Sequence, residues 1–197
     1  MIRSFATLLA VAILTISASA EVVSRLGHEP ADAFAIRSAP EGAELAHDVL
    51  EVNDWNFASP ALVAFYTHLY PPPNNDPAQF GRLITGYLFA PISPGKYEKI
   101  EIDTFEPEGR DAQIDSVFFA RIPGSKERKM FILVSWHPNP GDLYQTFVYN
   151  HPQGTAKVSR DYELGMRVDG GCQYCRKVRT TASEVKRKIK TFHARHP

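Results

Sequence analysis

The segment MFILVSW, from Met130 to Trp136, decides the fold because it is apolar at every position except Ser135. A strand with one face in water alternates apolar and polar residues, whereas a strand covered on both faces is apolar at consecutive positions. The segment therefore predicts a central β-strand that has other structure packed against each of its two faces.

Alternating segments flank this strand in the sequence, and turn residues separate them from it. Upstream, the turn Pro123-Gly124-Ser125 follows a segment of period two that predicts a strand. Downstream, the turn Pro138-Asn139-Pro140-Gly141 precedes a predicted strand from Leu143 to Tyr149. In the upstream strand, one face is expected to carry Ile114, Ser116, Phe118, Ala120 and Ile122, and the other face Val117 and Phe119.

Two more segments are predicted to be strands. Ile100 and Ile102 alternate with charged residues, and the segment from Tyr162 to Val168 is interpreted as a further strand. Because the links between successive strands are short, we expect an antiparallel meander of about four to five strands.

Helix signals occupy the N-terminal part of the chain. Ser38-Ala39-Pro40-Glu41 combines a capping serine, a proline and an acid, so a helix is predicted from there to about Asn53. A second helix is predicted from Ser59-Pro60, although its β-branched and aromatic residues also permit a strand. A third is predicted from Asp76-Pro77 and ends at Pro91. The residues at helical spacing are Leu62, Phe65, Tyr66 and Leu69 in the second helix and Phe80, Leu83, Ile84, Tyr87 and Leu88 in the third.

The C-terminal segment predicts a basic amphipathic helix. Thr181 and Glu184 fit a capping box, in which each side chain satisfies a free backbone N–H of the first turn. The basic residues lie off a narrow apolar stripe. That stripe consists of Ala182, Val185, Ile189 and Phe192. The predicted fold class is therefore α+β, with N-terminal helices packed on the antiparallel β-meander and this helix closing the domain.

The first twenty residues have the layout of a secretory signal peptide. Arg3 supplies a positive charge, the run from Phe5 to Ile16 is almost entirely apolar, and Ala18-Ser19-Ala20 provides a cleavage site of small residues. The apolar run has about twelve residues, which is too few to span a bilayer. We therefore predict a signal peptide over 1–20 and a single exported domain over 21–197, periplasmic or secreted, with no transmembrane segment.

Cys172 and Cys175 are the only cysteines in the sequence, and two residues separate them. In an oxidising compartment a structural disulfide is the leading interpretation. Two alternatives remain open. The basic residues just after Cys175 favour a thiolate and hence a redox-active pair. His193 and His196 extend the pair to a zinc-like set, although the spacing departs from that of zinc fingers.

No pattern in the sequence assembles a catalytic, metal or cofactor site. Ser135 and His137 share a face of the predicted central strand, but any two strand residues two apart do so, and the sequence has no Gly-x-Ser-x-Gly elbow. His47 lies on a predicted helix beside Asp48, which it does not face. His68 is expected to be a partly buried core histidine. Five acids around a predicted hairpin turn fit a solvated surface: Asp103, Glu106, Glu108, Asp111 and Asp115.

Basic residues are concentrated at the C-terminal end of the chain. Between Arg176 and Pro197 there are eight Lys or Arg residues and one acid, Glu184. Those on the predicted helix are expected either to be solvated or to meet an anionic surface or an acidic partner. They are Lys186, Arg187, Lys188 and Lys190. Because the helix has a single aromatic residue, Phe192, binding of single-stranded nucleic acid is not expected.

The leading functional hypothesis is an exported, non-catalytic domain that binds a protein or an envelope component. It rests on the lack of a recognisable set of acid, base and nucleophile in the sequence. Two alternatives remain. One is a small-ligand protein with a pocket at the open end of a curved sheet. The other is an exported thiol-redox or hydrolytic enzyme whose site is assembled from distant residues.

Intact-mass measurement of the protein, purified without reductant from its native host, tests the leader and the cysteine pair together. We expect a chain that starts at Glu21, because export removes the signal peptide, and that carries a disulfide between Cys172 and Cys175. Alkylation with and without prior reduction distinguishes the disulfide from free thiols. Recovery from the cytosol with Met1 in place and both thiols free would overturn the assignment to an exported compartment.

Overall fold

The computed structural model describes residues 21–53, 55, 57, 59–70, 81–108, 111–137, 142–150, 158–171 and 180–192. In chain order the described elements are β1 Glu21–Ser24, α1 Ala31–Arg37, β2 Glu44–Leu45, β3 Leu50–Val52, β4 Ala61–Tyr70, β5 Gly81–Ser93, β6 Lys96–Phe105, β7 Ala112–Arg121, β8 Arg128–Trp136, β9 Leu143–Tyr149, α2 Tyr162–Val168 and α3 Ala182–Thr191.

The strands form two antiparallel sheets. Sheet A has the order β1-β6-β5-β4-β2, with β3 also pairing with β4, and sheet B has the order β7-β8-β9. Strands make up 50% of the described residues and helices 18%, so the described structure is mostly β. The predicted α+β fold, with N-terminal helices packed on a single meander, is therefore wrong.

The two sheets pack face to face around the main hydrophobic core. Sheet A contributes inward residues such as Phe65, Leu88 and Ile102. Sheet B contributes alternate residues of β8, each at most 5% exposed: Met130, Ile132, Val134 and Trp136. The intervening Phe131 and Leu133 face the opposite side and pack against α2 and α3. The predicted central strand, covered on both faces, is thus confirmed.

Short helices cover the outer face of each sheet. On sheet A, Phe34 of α1 meets Phe89 edge to face with 5.2 Å between ring centroids. The Tyr66 hydroxyl donates to the Ala35 carbonyl oxygen at 2.7 Å. On sheet B, the helices bury four residues over the sheet: Leu164 and Val168 of α2, and Val185 and Ile189 of α3. The layers are therefore helix, sheet A, sheet B and helices.

The predicted second helix is strand β4, and the described part of the predicted third helix is strand β5. Asp76, Pro77 and Phe80 of the third helix lie outside the described residues. In β4, Leu62 and Tyr66 face α1, whereas Phe65 faces sheet B. Because the strand is buried on both faces, apolar residues occupy consecutive positions and satisfy helical spacing by coincidence. Pro91, predicted to end a helix, lies in β5 where its pairing with β6 is irregular.

The first predicted helix is also wrong. Ser38, predicted to begin a helix, instead lies at the C-terminal end of α1. The segment that follows holds the short strands β2 and β3, both paired with β4. The helix that does form lies upstream, with Pro30 at its N-terminal boundary and Asp32 in its first turn.

The segment from Tyr162 to Val168, predicted to be a strand, is helix α2. The Asp161 carboxylate accepts the Leu164 backbone N–H at 3.0 Å and so caps the first turn. It also accepts a 2.8 Å hydrogen bond from Lys129 of β8, which ties the start of the helix to sheet B. A helix of two turns is too short for its period to be recognised in the sequence.

The predicted C-terminal helix is confirmed as α3. Thr181 and Glu184 form the capping box. Val185 and Ile189 are buried, and Ala182 and Phe192 pack against them. None of the described helices has the length and apolar character that crossing a bilayer requires.

One face of β7 differs from the prediction. The pairing of β7 with β8 shifts between Ile114 and Ser116. A shift of one position exchanges the faces of a strand. Ile114 therefore packs into the core between the sheets with Val117 and Phe119, whereas Phe118 lies on the opposite face with Ala120 and Ile122, in the cluster beneath α2 and α3.

Candidate functional site

A cavity of about 210 Å³ opens at one end of the sandwich, where β6 and β8 end and β9 begins. Its walls come from both sheets. Sheet A and the segment after β6 contribute Thr104, Phe105, Glu106 and Glu108. Sheet B contributes Trp136, the last residue of β8, and Leu143, Tyr144, Gln145 and Phe147 of β9. Arg160, which precedes α2, completes the lining.

Three buried aromatic rings form an apolar wall of the cavity. Phe105 meets Phe147 edge to face at 4.8 Å between centroids, and Trp136 lies 6.3 Å from Phe147. The Trp136 indole Nε1 donates to the Glu106 carbonyl oxygen at 2.9 Å. This hydrogen bond joins the end of β8 to the segment after β6, so the indole is fixed between the two sheets.

Arg160 is held by two rings and a carboxylate. Its guanidinium carbon lies 4.2 Å from the Phe147 centroid and 4.4 Å from the Tyr162 centroid. Its Nη1 lies 3.7 Å from Oδ2 of Asp103. Stacking of a guanidinium on an aromatic ring contributes about 0.5–2 kcal/mol, more where water is excluded. The side chain is thus fixed in the wall with its charge offset by a neighbour.

Asp103 also links the two sheets directly. The buried Tyr149 of β9 donates its hydroxyl to Asp103 Oδ2 at 2.6 Å, from sheet B to sheet A. Burial raises the pKa of Tyr149 far above the usual value, and the adjacent carboxylate raises it further. The phenol therefore remains a neutral hydrogen-bond donor, and Asp103 accepts from Tyr149 while it balances the charge of Arg160.

Ser135 and His137 do lie together, and acids flank them. Ser135 Oγ is 3.4 Å from His137 Nε2, and His137 Nδ1 is 3.0 Å from Asp142 Oδ1. The hydrogen bond from His137 lowers the pKa of Asp142. However, Ser135 is 0% exposed and donates its hydroxyl to Asp115 at 2.9 Å. A nucleophile must reach its substrate, so this arrangement acts as a hydrogen-bonded link between β7 and the end of β8.

The five acids predicted to form a solvated surface have different surroundings. Asp103 and Asp115 accept the hydrogen bonds described above, and Asp111 accepts the Arg82 backbone N–H at 2.7 Å. Glu106 and Glu108 are exposed, as predicted, but they also line the cavity. The acids therefore do not form one cluster.

The other histidines are dispersed. His68 lies on β4 rather than on a helix, half-buried, with Nε2 3.4 Å from the Thr85 hydroxyl oxygen. His47 lies in the bend between β2 and β3, not on a helix. Within the part of the chain that the structure describes, no three His, Cys, Asp or Glu residues are placed to hold a metal ion.

The four basic residues of α3 have different environments. Lys186, Arg187 and Lys190 are exposed, and the Lys186 ammonium lies 4.7 Å above the Phe118 ring. Lys188 is half-buried and donates to the Val168 carbonyl oxygen at 3.0 Å, so it ties α3 to the end of α2.

Cys172, Cys175, His193 and His196 lie outside the described residues, so the disulfide, redox and zinc interpretations stay predictions.

Sequence reasoning missed the main residues of the cavity. Trp136 was predicted as part of a buried strand, and Arg160 received no role. No local motif marks them, because the lining comes from segments far apart in the sequence. The sequence signal was indirect. Trp136 and Leu143 end two predicted strands on either side of the predicted turn Pro138-Asn139-Pro140-Gly141, which lies outside the described residues. The two strand ends adjoin in an antiparallel pair.

Comparison with protein-family models, curated proteins and solved structures found no match to this chain.

Replacing Tyr149 by Phe tests the link between the sheets. At neutral pH we expect the free energy of unfolding to fall by about 1–2 kcal/mol, because the hydrogen bond to Asp103 is lost. Since the pKa of Tyr149 is raised on folding, its contribution is complete below about pH 10 and is lost as the pH rises further. The variant should therefore lose less stability than the wild type above that pH.

Urea unfolding at a series of pH values, followed by circular dichroism, measures both effects. Tyr162→Phe is the matched control, because Tyr162 is 60% exposed and stacks on Arg160 through its ring. Identical alkaline slopes for Tyr149→Phe and the wild type would show that the phenol is not the titrating group.

Proposed function

We propose that this protein is an exported, non-catalytic binding protein that takes a small molecule into the cavity between its sheets. The observation that carries the proposal is the cavity itself, with three buried rings on one side and the polar side chains of Glu106, Glu108, Gln145 and Arg160 around them. Apolar walls with a few polar groups are typical of small-ligand sites. Export is supported by the leader sequence.

The size of the cavity supports a ligand of modest dimensions. Its volume is about 210 Å³. An apolar cavity of about 150 Å³ is sufficient to bind benzene, and a single water occupies about 30 Å³ of liquid. The ligand expected here is therefore somewhat larger than one six-membered ring, and it is smaller than most drug-sized molecules.

The non-catalytic role is supported by the surroundings of Ser135, which precedes Trp136 of the lining. Ser135 has no exposed surface, and its hydroxyl proton is directed to Asp115 rather than to His137. Charged residues around the cavity are either stacked, as Arg160 is, or exposed, as Glu106 and Glu108 are. Such groups are suited to holding a ligand.

A fragment screen by saturation-transfer NMR tests the binding function. The screen uses cations, anions and neutral polar molecules, and compares the wild type with Leu143→Trp. An indole at position 143, in the cavity lining, is expected to fill the space and abolish the signals of bound fragments.

The matched control is Leu26→Trp, which adds the same ring at a position that is 63% exposed and far along the chain from the lining. Fragments should still bind this control. If no fragment binds the wild type, or if binding survives in a folded Leu143→Trp protein, the cavity is not a ligand site.

A second candidate function is attachment to an anionic envelope surface through α3. The observation that favours it is the outward basic face of the helix, where Arg187 and Lys190 are exposed. The single acid of α3, Glu184, is engaged in the capping box with Thr181. Each basic residue near an anionic membrane contributes about 1 kcal/mol.

Co-sedimentation with vesicles tests this second function. We expect binding to vesicles that contain phosphatidylglycerol and no binding to pure phosphatidylcholine. Arg187→Gln together with Lys190→Gln should weaken binding by about 2 kcal/mol, or roughly thirtyfold. The control is Lys96→Gln together with Lys126→Gln, which removes two exposed charges elsewhere. Equal losses in both double variants would show that the helix is not the contact.

A further inference from the structure

We propose that the cavity ligand is an organic cation, with an ammonium or guanidinium head and an apolar body. The head would be held by Glu106 and Glu108, and the body by the wall of Phe105, Trp136 and Phe147. The inference rests on the proposed binding function and adds the chemical class of the ligand. It follows from which polar groups of the lining are already engaged and which remain available.

Three hydrogen-bond donors of the lining, on Trp136, Tyr144 and Thr104, already have partners. The Trp136 indole N–H is engaged by the Glu106 carbonyl oxygen at 2.9 Å. The Tyr144 hydroxyl donates to Asp142 at 3.2 Å. The Thr104 hydroxyl lies 3.2 Å from that of Thr85. Apart from the Arg160 guanidinium, which is stacked between two rings, and the Gln145 amide, the lining therefore offers a ligand few donors.

Two carboxylates and one side-chain amide of the lining are available to a ligand. Among the described residues, no hydrogen bond or ion pair engages the carboxylates of Glu106 and Glu108 or the side-chain amide of Gln145. An ionised carboxylate accepts hydrogen bonds and donates none. The two carboxylates therefore favour a ligand that carries N–H donors and positive charge, and the Gln145 amide can either accept from such a ligand or donate to it.

The charge of the lining also favours a cationic ligand. Among the described residues that line the cavity, Arg160 is the one cation, and Asp103 lies 3.7 Å from it. With these two charges offsetting each other, Glu106 and Glu108 make the described part of the lining negative. An anionic ligand at Arg160 would have to compete with Asp103 and would be repelled by both glutamates.

The aromatic wall suits the rest of such a ligand. An aromatic ring attracts a cation placed over its face. The structure shows this chemistry at the edge of the cavity, where the Arg160 guanidinium lies between Phe147 and Tyr162. Because the indole N–H of Trp136 is engaged, its ring offers the cavity apolar surface rather than a donor.

Three probes of similar size and different charge test the inference: n-pentylammonium, 1-pentanol and pentanoate. Binding is followed by NMR through the indole N–H signal of Trp136 and the side-chain amide of Gln145. Trp55 is an internal reference, because its indole donates to the Arg128 carbonyl oxygen away from the lining. We expect pentylammonium to shift the Trp136 signal and to bind at least about tenfold more tightly than pentanol.

The variant Glu106→Gln with Glu108→Gln removes both charges while keeping the size of the side chains. We expect it to weaken pentylammonium binding by about tenfold and to leave pentanol binding unchanged. Glu41→Gln, at an exposed position outside the lining, is the matched control and should have no effect. Far-UV circular dichroism verifies that each variant is folded.

The alternative outcomes separate this inference from the binding function. If pentanol binds as tightly as pentylammonium, the cation inference is wrong and the cavity remains a ligand site. If pentanoate binds most tightly and Arg160→Gln abolishes that binding, the site is one for anions and the inference is again wrong. If none of the probes shifts the Trp136 signal, the inference is wrong, and the fragment screen alone decides the binding function.

Discussion

The burial of β8 on both faces is the constraint on which the rest of the structure depends. Its inward residues meet sheet A, and its outward residues meet α2 and α3. On the outward side, Phe131 stacks on Phe118 with 5.1 Å between centroids and nearly parallel rings. A strand packed in this way has one possible register, because a shift of one residue would exchange the two faces. The helices and sheet A are therefore positioned by residues of the same strand. The cavity lies where this strand ends at Trp136.

Polar contacts hold the two sheets together at the end of the sandwich where the cavity lies. Tyr149 and Asp103 connect the sheets, Arg160 is fixed between two rings, and Trp136 is hydrogen-bonded to the segment after β6. Buried hydrogen bonds add modest net stability, and they penalise every arrangement in which a donor or acceptor is left without a partner. The walls of the cavity are thus held in one geometry, and the proposed ligand would bind there with little reorganisation.

Sequence analysis predicted an element correctly where its own residues form a local pattern with a direct physical meaning. Such patterns are the apolar run of β8, the strand pattern of β9 and the capping box of α3. It failed for β4 and β5, because burial on both faces removes the alternation that distinguishes a strand from a helix. It failed for α2, whose two turns are too short to show a period, and for Ile114, where an irregularity in pairing changes the face. The site was beyond local patterns, because Phe105, Trp136 and Arg160 meet only after both sheets have formed.

The walls of the cavity belong to two separate sheets, so any occupant is a removable cross-link between them. A ligand that binds only the folded state adds about 1.4 kcal/mol of stability at ten times its dissociation constant. The two halves of the sandwich would then be clamped when the molecule is loaded and held at that end by protein contacts alone when it is empty. If the proposed ligand binds there, loading would also strengthen the contact between the sheets, and resistance to proteolysis would report how much ligand the surrounding compartment supplies.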